Sequence, residues 1–280
     1  MTERAGGCIF LLTDYGLSDE LAGVLRAVVA RLAPGAPLVD LTHGIPAFDV
    51  RAGALALARA APFLGPGVVI AVVDPGVAGS RRALALEVGT ANGPLHLVGP
   101  DNGLLTWAAD ALGGVTRAVG LGDSPSGSTF DGRDVFAPAA AALWRGAPLS
   151  ELGDLLEIES LERLTLPVVS VGSGLVDAEV IWVDSFGNVQ LSATPEDASD
   201  AGIGDVTGVD LELIAGGRHA TATRVNAFSE VPAGGLGLLV DANGHLALAG
   251  DRSSAARTLG LRAGDPVKLM ASTDLRGGRS

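Results

Sequence analysis

Along the first half of the chain, short apolar runs alternate with amphipathic stretches. The run CIFLLT reads as a strand, and SDELAGVLRAVVARL follows it with apolar positions at helical spacing and Ser18 or Asp19 as its cap. PLVDL, then DVRAGALALARAAPFL, then GVVIAVV repeat the alternation, and RALALEV and PLHLVG add two more strands. Strands alternating with helices predict a largely parallel sheet covered on both faces. From about Pro167 the pattern changes. LVDAEVIWVDSFGNVQLS, VDLELIAGGRHATATRV, LGLLVDANGHLALAG and DPVKLMAS read as strands joined by tight turns rich in Gly and Asn. The chain is therefore expected to form an α/β domain over residues 1–165 and an antiparallel β domain over 166–280, with the charged stretch LSELGDLLEIESLERLTLP connecting them.

Composition narrows the classes of function. Of 280 residues, 48% are hydrophobic, enough for a sizeable core, yet no apolar run reaches the roughly 18 residues of a membrane span. The amino-terminal segment has no cleavage-site pattern and reads as a first strand rather than a signal peptide. A single cysteine, Cys8, rules out a disulfide within the chain and reads as a buried, inert thiol. These features point to a cytoplasmic protein with no membrane partner. The net charge of −13 disfavours phosphate backbones, so nucleic acid is not expected, whereas a cationic small molecule suits the surface.

Open parallel sheets bind ligands beyond the carboxyl ends of their strands. Acids collect at such places: Asp14 in LLTDYG, Asp74 in AVVDPG and Asp101 in LVGPDNG, with Asp131 in the loop before DVFAPAAAALW. One such acid is ordinarily a cap or turn former. Several together leave two chemical options, a metal cluster or a site that grips hydroxyls and cations. The metal option is the weaker, because there is no D-x-D and His43, His96, His219 and His245 lack ligand spacing. PGVAGSRR is not a Walker loop, and no G-x-S-x-G or S-x-x-K supports a serine nucleophile. For Asp131 the bland alternative is a turn residue, with Asp134 better placed to cap the helix that follows.

Five ordered motifs, TDYGLSDELAGVLRAV, VVDPGVAGSRRALALE, GPDNGLLTWA, TFDGRDVFAPAAAAL and WVDSFGNVQLS, resemble the S-adenosyl-L-methionine hydroxide adenosyltransferases. This family, the S-adenosylmethionine hydrolases, is related to the fluorinase and chlorinase. The motifs run from Asp14 to Asn188, and the weaker LLVDANGHLALA extends the match over nearly the whole chain. The resemblance implies a Rossmann-like amino-terminal α/β domain, a carboxy-terminal β-barrel-like domain, and a homotrimer with active sites between subunits. It also implies attack of water on C5′ of S-adenosyl-L-methionine to give adenosine and L-methionine, with no separate cofactor. The open alternatives are a halide nucleophile, or a weak or inactive S-adenosylmethionine- or adenosine-binding protein.

Carried over position by position, the resemblance gives Asp14 the ribose hydroxyls, a pairing that suits an acceptor-only carboxylate and a cis-diol. It places Phe48, Phe130 and Gly132 around the substrate. Asp184 and Asn188 match the pair gripping the methionine amine, with Phe186 near the adenine or methionine, Phe228 at an adenine-packing aromatic position and Arg252 where backbone meets the adenine edge. Two positions depart from the pattern. A Ser-Arg pair that holds the substrate carboxylate falls on Ala242 and Asn243. The Asp-Arg-His set around the attacking water is matched by Asp74 and Arg81, but its histidine position is Asp131. Keeping Asp74 and Arg81 leans toward water rather than halide. Forming free hydroxide (water pKa ~15.7) costs roughly 16 kcal/mol with a carboxylate base of ~3.9, against roughly 12.5 kcal/mol with imidazole at ~6.5. Proton removal concerted with attack feels only part of that difference.

Overall fold

The computed structural model describes residues 7–90, 93–122, 129–203 and 206–272. The chain divides into two compact units, Met1–Leu164 and Thr165–Ser280.

The first unit contains β1 (Cys8–Thr13), α1 (Leu21–Leu32), β2 (Leu38–Thr42), α2 (Val50–Ala60), β3 (Gly67–Val72), β4 (Ala83–Thr90), β5 (Gly93–Pro100), α3 (Thr106–Ala111), β6 (Val115–Leu121), α4 (Ala137–Trp144) and β7 (Gly153–Leu155). They build one seven-stranded sheet in the order β2-β1-β3-β5-β4-β6-β7. Pairing is parallel through β2, β1, β3 and β5, then antiparallel through β4, β6 and β7. The sheet is thus only half parallel. The reason is local: two residues join β4 to β5, far fewer than the dozen or so that a parallel crossover needs. α1 packs on α4 and α2 on α3. The central strand β3 is buried along its whole length, as a strand covered on both faces should be. Ile9, Leu11, Val68, Ile70 and Val98 from the sheet meet Leu25, Phe136 and Leu143 in the core.

The connecting stretch after α4 belongs largely to this unit, since its Gly153–Leu155 is the edge strand beside β6. Cys8 is only half-buried at the start of β1, not fully enclosed. α1 begins at Leu21 with Glu20, not Ser18 or Asp19, at its N-cap and no side-chain cap, although Asp19 Oδ1 accepts from Leu21 N at 3.1 Å; α2 is capped by Asp49 accepting from Ala52 N at 2.9 Å.

The second unit contains β8 (Ser170–Gly172), β9 (Leu175–Val183), β10 (Val189–Leu191), α5 (Pro195–Asp200), β11 (Asp210–Ala215), β12 (Arg218–Arg224), β13 (Leu236–Val240), β14 (Leu246–Gly250), α6 (Ala255–Leu259) and β15 (Pro266–Ala271). Seven strands close into a barrel in the order β10-β14-β13-β12-β11-β15-β9, completed by the pairing of β10 with β9. β8 adds at the edge of β9. One pair, β12 with β13, is parallel, and the others are antiparallel. Alternate residues fill the interior, among them Val176, Val180, Leu213, Leu238, Leu248 and Leu269.

Candidate active site

In the first unit the chain runs from β1 to β2 on one side of the sheet's middle and then to β3 on the other. The carboxyl ends of β1 and β3 therefore flank the point where strand order reverses, the place where open sheets leave a crevice. Asp14 follows β1 directly and Asp74 follows β3. The crevice is a cavity of about 650 Å³ lined by Asp14, Tyr15, Phe48, Asp74, Phe130, Asp131, Gly132 and Arg133, with Asp19, Leu21, Ala47, Val72, Val77 and Thr129.

Behind the carboxylates stands Arg81. Its Nε donates to Asp74 Oδ1 at 3.1 Å and Oδ2 at 3.0 Å, and its Nη2 donates to both Asp74 Oδ2 and Asp131 Oδ2. Side-chain exposure is 13% for Arg81, 5% for Asp74 and 4% for Asp131, so three charges share a nearly dry site. Burial opposes the charge on Arg81, but the hydrogen bonds and attraction of Asp74, then of Asp131, outweigh it and hold the guanidinium above its ordinary value. The guanidinium also lies 5.5 Å from the centroid of the Phe136 ring. Arg82, the next residue, turns away, donating from Nε to Asp101 Oδ2 at 2.7 Å and from Nη2 to Ser160 O at 2.5 Å. Asp101 is therefore structural, as are Asn102, which donates to Val73 O at 2.9 Å, and His43, hydrogen-bonded through Nδ1 to Thr13 Oγ1 at 2.8 Å.

Asp131 is not a capping residue. It precedes a single π turn, Gly132–Phe136, but its side chain caps no N–H of that turn. Asp134, expected as the cap, lies inside the π turn and pairs with Arg133 at 2.7 Å. The wider turn differs from a regular helix start, so the cap position inferred from helical spacing does not exist here. Asp131 Oδ1 is buried without a hydrogen-bond partner among the described residues. Asp14 Oδ2 accepts from Phe48 N at 2.9 Å, holding Phe48 at φ 67°, where a side chain is strained by about 1–3 kcal/mol.

Tyr15 is the residue that sequence reasoning missed. Its ring meets Phe130 edge-on with centroids 5.5 Å apart. Burial first, then the charges of Asp14, Asp74 and Asp131, push its phenol well above the ordinary value, while Arg81 acts in the opposite sense. The available signal was its position, directly after Asp14 in TDYG.

In the second unit, Asp184, Phe186 and Asn188 form the loop between β9 and β10. Asp184 Oδ1 accepts from Phe186 N and Asn188 N, both at 2.9 Å, and Oδ2 from Asn188 Nδ2 at 2.8 Å. Gly187 has φ 83°, and a Cβ there would lie 2.0 Å from Ser254 Oγ, so only glycine lets this loop close on the 251–254 segment. Arg252, at φ 46°, sits in that segment. Ala242 and Asn243 lie in the turn at the other end of β14, where Asn243 N already donates to Asp241 Oδ1 at 2.8 Å. Phe228 opens a short 3-10 turn. Phe48, Phe186 and Phe228 are 70%, 80% and 59% exposed. Among the described residues no group of three or more His, Cys, Asp or Glu side chains is set to hold a metal.

A crevice at the strand-order reversal, walled by acids braced by one arginine, and a closed barrel carrying exposed aromatic loops define a small-molecule-binding α/β protein with a barrel unit. Residues 9–153 match the amino-terminal domain of the SAM hydroxide adenosyltransferases and residues 178–268 their carboxy-terminal domain. The chain belongs to this family. It is 44% identical over 271 residues to the (R)-S-adenosyl-L-methionine hydrolase of Salinispora arenicola, covering 94% of this chain and 97% of that one. It is 39% identical over 274 residues to the enzyme of that name from Thermus thermophilus, covering 94% and 99%. The fluorinase of an Actinoplanes species is 27% identical over 301 residues, covering 96% and 99%. The crystal structure of an uncharacterized conserved protein from Thermotoga maritima superimposes with a TM-score of 0.82 at 33% identity, covering 94% of this chain and 99% of that one.

Proposed function

We propose that this protein hydrolyses S-adenosyl-L-methionine at C5′, giving adenosine and L-methionine. The observation that carries the reading is the buried Asp74–Arg81–Asp131 bridge beside a cavity with an unpartnered carboxylate oxygen. Relatives at 39–44% identity bearing the hydrolase name support it. The leaving sulfonium departs as a neutral thioether, so no general acid is needed. The demands are in-line placement of water and removal of its proton during attack. Asp131 Oδ1 is the free acceptor for that proton, and Arg81 fixes the geometry by holding Oδ2. Asp14 has lone pairs beyond the one used by Phe48 N to take the ribose hydroxyls. The two carboxylates favour a cationic substrate and disfavour a halide.

On this reading Asp184 and Asn188 hold the methionine amine, with Asp184 having spent three of its roughly four lone-pair sites on its own loop. Phe186 and Phe228 pack the adenine beside Arg252. With the Asn243 N–H engaged by Asp241, the substrate carboxylate falls to the Asn243 side chain and neighbouring backbone at Ala242. The exposed aromatics fit a homotrimer whose sites lie between subunits, acting in the cytoplasm with no separate cofactor. Chromatography of the products from purified protein and S-adenosyl-L-methionine, with and without excess chloride, tests the reading. Adenosine as sole product in both is expected. 5′-Chloro-5′-deoxyadenosine, or binding without turnover, would overturn it.

A further inference from the structure

Once Asp14, Asp74, Arg81 and Asp131 have their roles, the hydroxyl of Tyr15 is left over. It is not a mere extension of a packing ring. A Cβ on Gly132 would lie 2.3 Å from Tyr15 Oη and 3.3 Å from Cζ, so the residue after Asp131 must be glycine for this hydroxyl to fit. Tyr15 is half-buried and lines the cavity, and a phenol so placed ordinarily hydrogen-bonds its surroundings. Tyr15 Oη makes no hydrogen bond to any described residue. On the same cavity wall, Asp131 Oδ1 is a buried acceptor without a partner. A free donor and a free acceptor on the lining of one cavity suit a molecule that both accepts and donates, and water is the smallest that does.

We propose that Tyr15 Oη–H and Asp131 Oδ1 are the two protein contacts of the attacking water, the phenol donating to one lone pair and the carboxylate accepting one proton. The proposal rests on the hydrolytic reading above and names the residue that aims its nucleophile. Water held on both its accepting and its donating side has one lone pair left for C5′. As the O–C5′ bond forms, the C5′–S bond breaks and its electron pair stays on sulfur, which leaves as the thioether of methionine. The water proton passes to Asp131 Oδ1 and Tyr15 keeps its own. Burial and the neighbouring carboxylates hold that phenol neutral, so it is a donor throughout the working pH range. A halide has no proton for Asp131 Oδ1 and would leave it unpaired, so the same pair selects against halide.

The test is steady-state adenosine production by the full chain and its Tyr15→Phe variant, which keeps the ring against Phe130. The expected result is a kcat lower by about tenfold to a hundredfold, because the water loses one of two anchors. KM should stay within about twofold, since the substrate's own contacts are untouched. Asp131→Asn should lower kcat by itself, and adding Tyr15→Phe to it should cost no more than about twofold further, because both act on one water. Unchanged kcat per folded molecule in Tyr15→Phe, or fully multiplicative losses in the double variant, overturns the proposal. Tyr15 is the chain's single tyrosine, so protein produced on 3-fluorotyrosine is altered at this phenol alone. Should Tyr15→Phe not fold, an unchanged rate and pH profile for the fluorinated protein overturns it equally. No adenosine from the wild-type chain fails the hydrolytic reading itself. Adenosine from wild type at a rate Tyr15→Phe does not alter fails this proposal alone.

Discussion

The two units hold their candidate site residues in opposite ways. In the first, the side chains of Asp74 and Asp131 are 5% and 4% exposed and are braced by one guanidinium before any ligand arrives. In the second, Phe186 and Phe228 are 80% and 59% exposed, and Asp184 spends its lone pairs holding its own loop. The difference matches what the proposed tasks require. Aiming a water demands charges fixed in a low-dielectric pocket, because mobile or solvated groups would reorganise during attack. Gripping an aromatic base demands apolar surface that is bare until it is covered. On the proposed function, the rigid polar groups serve the chemistry and the open apolar groups serve recognition.

The sharpest way to break this contrast is to remove the brace. Arg81→Met leaves two buried carboxylates facing each other, and the expected loss is about 3–5 kcal/mol of stability together with adenosine production. Urea unfolding measures it. A loss below about 1 kcal/mol would mean the pair is solvated and the contrast wrong.

Asp184→Ala touches the other unit. It frees three donors of the 184–188 loop, and about 1–2 kcal/mol of stability should go, since much of each hydrogen bond is recovered from water. KM should rise while kcat holds, and a kcat loss as large as the KM change would put chemistry on the barrel unit.

The smallest effect at neutral pH is the titration of Tyr15. Its folded-state pKa is raised, so its contribution to stability is complete below the unfolded value of about 10 and is lost as pH climbs beyond it. Absorbance at alkaline pH reads this directly, because no other tyrosine contributes. Phenolate should form in urea-unfolded chain near pH ~10 and only at higher pH in folded chain. Equal midpoints would place the phenol in water and remove it from the buried set.

Much of the fold was legible from periodicity. The strand runs CIFLLT, GVVIAVV and LGLLV, and the helical spacing of LAGVLRAVVARL, reappear as β1, β3, β13 and α1 because one buried face or two suffice to write such patterns. The antiparallel half of the first sheet was less visible: ALALEVGT and GPLHLVGP are as apolar as parallel strands, and only the two residues between them betray a hairpin. Candidate acids were legible as a set, but their uses were not. Asp14, Asp74 and Asp101 follow strand ends and Asp131 precedes a helix, yet Asp101 turns to Arg82 and Glu162 N, while Asp74 and Asp131 meet Arg81. Tyr15 escaped because a single aromatic after an acid carries no period or spacing.

By itself the sequence determined which segments are strands and helices, where the pattern turns from α/β to β, and which acids stand at strand ends, because these depend on neighbours along the chain. The tertiary structure alone decided that the Arg81 guanidinium reaches an acid 50 positions along the chain, that a π turn leaves Asp131 uncapping and Asp134 outside the site, and that Gly132 makes room for a phenol. Those outcomes depend on distance in space and on exclusion of water, and neither quantity is written in the order of the residues.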